Sequence, residues 1–76
     1  MIKPMDRLAP GQSAQIVSLN GCDNDRLRDL GFVENGLVTY LYPSAFGDPR
    51  AYRVRDTVVA LRQRDARQVL CAGGEE

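Results

Sequence analysis

The sequence predicts a mainly β fold, a small barrel of about five strands with one short α-helix and one 3-10 turn. Short runs of β-forming residues recur about every 8–12 positions and are separated by turn residues. One segment after the first run instead carries the residues that start and stop a helix. A chain of 76 residues has little material to cover exposed sheet edges, which favours a closed barrel of the SH3-like kind.

The composition indicates one globular domain over residues 1–76, near the lower size limit for a self-supporting core. Hydrophobic residues make up 43% and charged residues 26%, a balance that excludes a disordered chain. No stretch approaches the roughly 20 apolar residues of a membrane span, and the N-terminal residues lack a signal-peptide core. We therefore expect a cytoplasmic protein with reduced cysteines and no direct membrane insertion. A core this small would gain stability from a partner or from weak self-association.

The first part of the chain predicts a lead-in followed by a strand. Residues 1–10 contain Pro4 and Pro10 and are expected to form a lead-in anchored by Leu8. Residues 14–19 form the first predicted strand. A bulge near Val17 in this strand would return the side chain of residue 19 to the core side.

The next segment contains residues that are typical of the two ends of a helix. Asp23 or Asn24 can cap the free amide groups at its start, and Gly31 can adopt the left-handed conformation that ends it. Leu27 and Leu30 fall on one face of this helix. A helix this short is unstable alone, so the two leucines are expected to cover an open end of the sheet.

The rest of the chain predicts the remaining strands and one loop of unusual length. The strands are expected at residues 37–42, 51–55, 58–62 and 68–71, with a helical turn around 64–66 and a flexible tail at 72–76. In the loop over residues 43–49, Phe46 is expected to fold its ring back onto the protein. The inward-facing apolar residues give the predicted core: Ile16, Leu27, Leu30, Val38, Tyr40, Tyr52, Val54, Val59, Leu61, Ala66 and Val69.

Residue chemistry predicts a protein without catalytic, cofactor or metal sites. The chain has no histidine, so neither Cys22 nor Cys71 has the imidazole base that a cysteine nucleophile needs. Transition-metal ligands are limited to these cysteines and to scattered carboxylates such as Asp25 and Asp29. A glycine-rich phosphate-binding loop is also missing. We therefore predict that the protein is not an enzyme; the role of the cysteines stays open.

Two alternative surfaces are predicted for binding a partner, one on the helix and one on the arginine-rich strand. They comprise Arg26, Leu27, Leu30 and Phe32 on and after the helix, and Arg53 and Arg55 on the strand. Leucines that are not fully buried would supply an apolar anchor, and arginines would pair with the carboxylates of an acidic partner. Ten Lys+Arg against ten Asp+Glu leave no net charge, which argues against nucleic acid as the partner.

Several motifs stand in order between residues 8 and 71. They are Gly11-x-x-Ala14-x-Ile16, Arg26-Leu27-x-x-Leu30-Gly31-Phe32, Phe46-Gly47-Asp48-Pro49, Arg53-Val54-Arg55 and Val59-Ala60-Leu61-Arg62 followed by Ala66. At these separations they resemble the FeoA family of small accessory proteins of bacterial ferrous-iron uptake. Asn35 and Asp56 depart from the family pattern, since glycine usually stands at both turns. Each is expected to adopt the left-handed backbone conformation that glycine would take.

The resemblance implies an SH3-like barrel in a cytoplasmic accessory or regulatory protein of ferrous iron uptake. It implies that the protein binds FeoB, a membrane transporter with a cytosolic GTP-binding domain, and that it has no chemistry of its own. The same domain recurs at the C-terminus of some metal-responsive repressors. The alternative is therefore an SH3-like interaction module of another partner, such as a metal-responsive transcriptional regulator.

Overall fold

The computed structural model describes residues 2–20 and 24–73. It contains six strands, two α-helices and one 3-10 turn. In chain order these are β1 (Ile2–Pro4), the 3-10 turn (Met5–Arg7), β2 (Ser13–Leu19), α1 (Asn24–Leu30), β3 (Leu37–Pro43), β4 (Arg50–Val54), β5 (Thr57–Leu61), α2 (Gln63–Ala66) and β6 (Val69–Gly73).

The strands form one antiparallel sheet in the order β1-β6-β2-β3-β4-β5. The mainly β class is confirmed, with six strands in place of about five. β1 and β5 stand at the two ends of the order and do not pair with each other within the described ranges, so the expected closure of the sheet is absent. The 3-10 turn and α2 contact each other instead.

Asp6 of the 3-10 turn connects the start of the chain to β4 and α2. Its backbone carbonyl accepts a hydrogen bond from Arg50 Nη1 at 2.7 Å. Its carboxylate Oδ2 accepts a hydrogen bond from Gln63 Nε2 at 3.4 Å and lies 3.5 Å from Arg67 Nε. Because Asp6 follows β1 at one end of the sheet order, and α2 follows β5 at the other end, these contacts help to hold the two ends together.

The lead-in expected over residues 1–10 contains β1 and the 3-10 turn. β1 pairs with residues 70–72 of β6, and Met5 and Leu8 are buried in the core. The pattern of residues 2–4 does not indicate a strand, since it is short and ends in proline. It becomes one only because β6 lies beside it. At the other end, Ala72 and Gly73 belong to β6 rather than to a tail, and residues 74–76 fall outside the described part of the chain.

The bulge predicted in the first strand is confirmed. The register between β2 and β6 shifts between Ile16 and Ser18. Val17 is exposed, and the side chains on either side of it, Ile16 and Leu19, are both buried. The extra residue therefore lets two apolar side chains of different parity enter the same core.

Every predicted core residue is buried except Leu30, which is half-buried and packs against the core. Leu30 covers the edge of the core rather than its interior, because it is the last residue of α1. The core also holds apolar residues that were not in the prediction: Met5, Leu8, Ala14, Leu19, Phe32 and Cys71. Burial raises the pKa of the Cys71 thiol, which favours its neutral form. Cys22 lies outside the described residues.

Two expectations about loops were wrong. Phe46 does not fold back, since 94% of its surface is exposed. Its loop is held by backbone and side-chain bonds instead, including one from the Gln63 backbone N–H to Asp48 Oδ1 at 2.8 Å. Asn35 has the expected positive φ of 71°, but at the β4–β5 turn it is Arg55, with φ of 56°, and not Asp56 that is left-handed.

Candidate partner-binding surface

The C-terminal end of α1 is closed by a Schellman motif. Gly31 N–H donates to the Arg28 carbonyl at 3.0 Å, and Phe32 N–H donates to the Leu27 carbonyl at 3.0 Å. Gly31 has φ of 114°, a conformation that L side chains rarely adopt. Leu27 and Phe32 are both fully buried, which supplies the apolar contact that usually accompanies this motif.

Gly31 also brings the end of α1 close to β4. A Cβ at this position would lie only 3.3 Å from Val54 Cγ1 and 3.8 Å from Arg55 Cδ. The absence of a side chain therefore lets the helix end rest directly on the strand that carries Arg53 and Arg55. The helix and the arginine-rich strand, predicted as alternative surfaces, meet at this point.

An open groove of about 340 Å³ runs along this junction. We call it the Gly31–Arg53 groove. It is lined by Gly31, Gly36, Leu37, Thr39, Arg53, Val54, Arg55 and Asp56. Arg53 and Arg55 are both exposed, and Leu37 presents 68% of its surface.

The six residues predicted to bind a partner do not all lie on this groove. Arg53 and Arg55 line the groove, while Leu27 and Phe32 are fully buried and present no surface to a partner. Arg26 does not line the groove and forms an ion pair with Asp65 of α2, with 3.1 Å between Nη2 and Oδ2. Half-buried Leu30 packs against the core. The helix residues thus position the groove, and the strand residues supply its charge.

Leu37 and Thr39 were not among the predicted binding residues. Both belong to β3, whose two faces are apolar or β-forming in sequence. Such a strand is either buried on both sides or has a contact surface on its outer face. The exposure of Leu37 indicates the second case. The apolar or β-forming residues on both faces of this strand were the feature of the sequence that could have identified Leu37 and Thr39.

Arg28 of α1 forms a bidentate ion pair with Glu34, in the chain between Gly31 and Gly36, two residues that line the groove. Arg28 Nη1 lies 2.5 Å from Glu34 Oε1, and Arg28 Nη2 lies 2.7 Å from Glu34 Oε2. This hydrogen bonding lowers the pKa of the Glu34 carboxyl and raises that of the Arg28 guanidinium. It connects α1 to the turn that leads into β3.

The charges and the exposed leucine of the groove suit the binding of a partner. Two guanidinium groups beside an exposed leucine fit an acidic segment that also carries an apolar side chain. Within residues 2–20 and 24–73, no three histidine, cysteine, aspartate or glutamate side chains are grouped so that they could hold a metal ion. The helices in that same part of the chain are too short and too polar to cross a membrane.

Comparison with known proteins identifies the family. A sequence profile of the FeoA domain matches residues 3–72. The chain belongs to the FeoA family. Among curated protein sequences, none matches this FeoA domain.

Solved structures of FeoA proteins share its fold. The FeoA-like protein of Clostridium acetobutylicum has a TM-score of 0.89 at 18% identity, and the match covers 99% of this chain and 90% of that one. FeoA of Stenotrophomonas maltophilia, solved in complex with zinc, has a TM-score of 0.81 at 28% identity, covering 95% and 89%. That protein was described as a prokaryotic SH3 domain protein and was suggested to act as a bacterial ferrous iron transport activating factor.

The fold also occurs inside longer regulators. A manganese-dependent transcriptional repressor has a TM-score of 0.83 at 11% identity. The match covers 95% of this chain but only 41% of the repressor. At this identity the likeness concerns the fold alone.

Proposed function

We propose that this FeoA protein is an accessory protein of ferrous iron uptake that binds the cytosolic GTP-binding part of a FeoB-type transporter through the Gly31–Arg53 groove. Membership of the family and the role suggested for the Stenotrophomonas maltophilia protein support a function in ferrous iron uptake. The placement of exposed Arg53, Arg55 and Leu37 on one groove supports the binding surface. The protein acts in this proposal by contact, without chemistry of its own.

The groove favours a partner segment that is acidic and partly apolar. Arginine pairs with carboxylates through a planar fork of donors, and its charge steers an acidic partner toward the surface. Leu37 adds apolar surface that would be buried on binding. Its exposed side chain lies next to Gly36 in the lining of the groove.

Titration against the isolated cytosolic part of the transporter tests the function. The experiment measures binding with GTP, with GDP and without nucleotide, because the partner domain changes state with its nucleotide. Saturable binding in at least one state is expected. The absence of binding in every state, together with unchanged iron uptake after deletion of the gene, would reject the proposal.

A charge-reversal pair tests the surface. The double variant Arg53→Glu, Arg55→Glu is expected to weaken binding by about tenfold or more, since it replaces attraction by repulsion at the partner's carboxylates. Arg64→Glu is the matched control, because Arg64 is an exposed arginine of α2 that does not line the groove. Equal affinity of the double variant and the control would move the binding site elsewhere on the protein.

The alternative is an interaction module of a metal-responsive regulator. The fold likeness to the manganese-dependent repressor favours it, since those longer chains contain a domain of this shape. In that case iron uptake would not depend on Arg53 and Arg55, and cells that carry the double variant would take up iron as well as cells that carry the parent protein. A transporter gene beside this one would instead favour the first function.

A further inference from the structure

β5 forms one end of the sheet and has a neighbour on one side only. It pairs along its whole length with β4. Its five residues, Thr57–Leu61, include no charge and no proline. Edge strands of natural proteins usually contain charged residues or proline, because an unpaired apolar edge can pair with a strand of another molecule.

Backbone hydrogen bonds further inside the sheet determine which groups of β5 point outward. Tyr40 of β3 donates to the Gln12 carbonyl at 3.0 Å and accepts from Gly11 N–H at 2.6 Å, so its backbone faces away from β4. Tyr40 lies opposite Tyr52. In an antiparallel ladder the hydrogen-bonded direction alternates along each strand, so the backbone of Tyr52 faces β5.

The same alternation continues onto β5. Tyr52 lies opposite Val59, which therefore turns its N–H and C=O toward β4. Val58 and Ala60 turn theirs the other way, toward the open edge. Among residues 2–20 and 24–73, no group donates to or accepts from these outward N–H and C=O groups.

The side chains beside this edge are apolar as well. Val58 exposes 53% of its surface, and Ala60 is also exposed. Both line a shallow groove of about 260 Å³ that Tyr42, Ser44, Pro49, Arg50 and Ala51 complete. A strand added to β5 would therefore find backbone partners at the edge and an apolar groove next to it.

We propose that β5 pairs antiparallel with β5 of a second copy of this chain, with the two Val59 residues opposite each other. Val58 of each copy then lies opposite Ala60 of the other. These are the two residues whose backbone groups point outward, so they form hydrogen-bonded pairs as an antiparallel ladder requires. The inference goes beyond the proposed function and does not depend on transporter binding.

Charge supports a second copy as the occupant and selects this register. With Val59 at the centre, exposed Asp56 of one copy lies opposite exposed Arg62 of the other, and symmetry produces this pair twice. A register centred on Val58 would place Asp56 opposite Ala60 and lose both pairs. The edge is thus complementary to itself in sequence as well as in backbone geometry.

A short edge pairing gives a weak dimer. Stable interfaces bury about 1,200–2,000 Å² in total, more than two five-residue strands can supply. Sedimentation equilibrium from micromolar to millimolar protein is therefore expected to show a reversible monomer–dimer equilibrium. A monomer at millimolar concentration would overturn the proposal.

Two sets of variants test the edge and the register. Val58→Lys is expected to weaken the dimer by about tenfold or more, because it adds a like charge to each side of the seam. Ile2→Lys, at a residue 58% exposed on the opposite edge, is the matched control and should leave the dimer unchanged. If both variants dimerise as the parent does, or if only Ile2→Lys fails to dimerise, the assignment to β5 is wrong.

The charge pair provides a rescue experiment that does not depend on the packing of the edge. Asp56→Arg and Arg62→Glu should each weaken the dimer, and the double variant should recover the parent's dissociation constant because both pairs are restored with reversed sign. Circular dichroism checks that each variant is folded. A double variant no stronger than the single variants would reject this register.

Discussion

At one edge of the sheet, β1 is a three-residue strand that contains Lys3 and Pro4, whereas at the other edge β5 has five residues and neither a charge nor a proline. Lysine, proline and short length are the features by which natural edge strands avoid unwanted pairing. β1 carries all of them and β5 carries none. One edge of this small sheet is thus protected from association, and the other is left able to pair.

The backbone of β1 adds to the contrast. Ile16 of β2 makes both of its backbone hydrogen bonds, at 2.8 Å each, with the turn before β3. It lies opposite Cys71 of β6, so the backbone of Cys71 faces β1 and pairs with Lys3. Pro4 consequently points toward the open side, where it has no N–H to donate. At β5 the corresponding outward positions keep both donor and acceptor.

The two edges also differ in how firmly they belong to the core. The chain that continues from β1 buries Met5 and Leu8, and Asp6 joins it to β4 and α2. β5 also buries Val59 and Leu61, whereas Val58 and Ala60 on its other face are exposed. The exposed face of β5 is therefore expected to contribute less to stability than the chain that follows β1, and this difference can be tested.

The largest expected effect is that of Met5→Ala. Met5 is fully buried, so its truncation should lower the free energy of unfolding by about 2–5 kcal/mol. Val58→Ala, at a residue that is 53% exposed on β5, should change it by less than about 0.5 kcal/mol. Urea denaturation at low protein concentration measures both. Equal losses would show that the two edges contribute alike to the fold.

A smaller effect is expected for Asp6→Ala. The change removes the carboxylate that contacts Gln63 and Arg67 but keeps the carbonyl that Arg50 binds, so the loss should be about 1–2 kcal/mol. Asp56→Ala is the control, an exposed aspartate beside β5. Thermal unfolding in dilute solution compares them. If Asp6→Ala melts with the control, the connection across the open side of the sheet carries no stability.

The smallest expected effect is that of Pro4→Val, which restores an N–H on the outer side of β1. One additional edge donor should strengthen self-association only by a few-fold, about 1 kcal/mol at most. Pro10→Val makes the same chemical change in the loop before β2 and should have no effect on association. Sedimentation equilibrium distinguishes the two. Unchanged association of Pro4→Val would mean that length alone protects this edge.

Local signals in the sequence were sufficient for much of the fold. The end of α1 at Gly31, the bulge near Val17 and the alternation of Tyr52 and Val54 all follow from short-range geometry, and the structure confirms them. β1 could not be found this way, because it becomes a strand only through β6 at the far end of the chain. The left-handed residue at the β4–β5 turn was misplaced by one position for a similar reason. Strand register, rather than residue preference, makes it Arg55.

The Gly31–Arg53 groove was predictable from the sequence in its charges but not in its other residues. Arg53 lies between buried Tyr52 and Val54, so its exposure follows from the strand alternation, whereas Arg55 is exposed in the turn that follows β4. That they lie beside the helix end depends on the close approach of Gly31 to Val54, which is a tertiary contact. Leu27 was predicted both as a core residue and as a candidate anchor, and Phe32 as a candidate anchor alone, because the sequence does not reveal how completely a short helix is covered; both are fully buried.

The paired hydrogen bonds between Arg28 and Glu34 have a consequence for recognition. Together with the helix cap at Gly31 they connect α1 to the segment between Gly31 and Gly36, which forms one wall of the Gly31–Arg53 groove before any ligand arrives. A partner protein would bind to a preorganised surface, so little binding free energy would be lost in ordering that wall. Weakening the Arg28–Glu34 ion pair, without changing the residues that line the groove, should therefore slow the binding of a partner protein and increase the entropy cost of that binding.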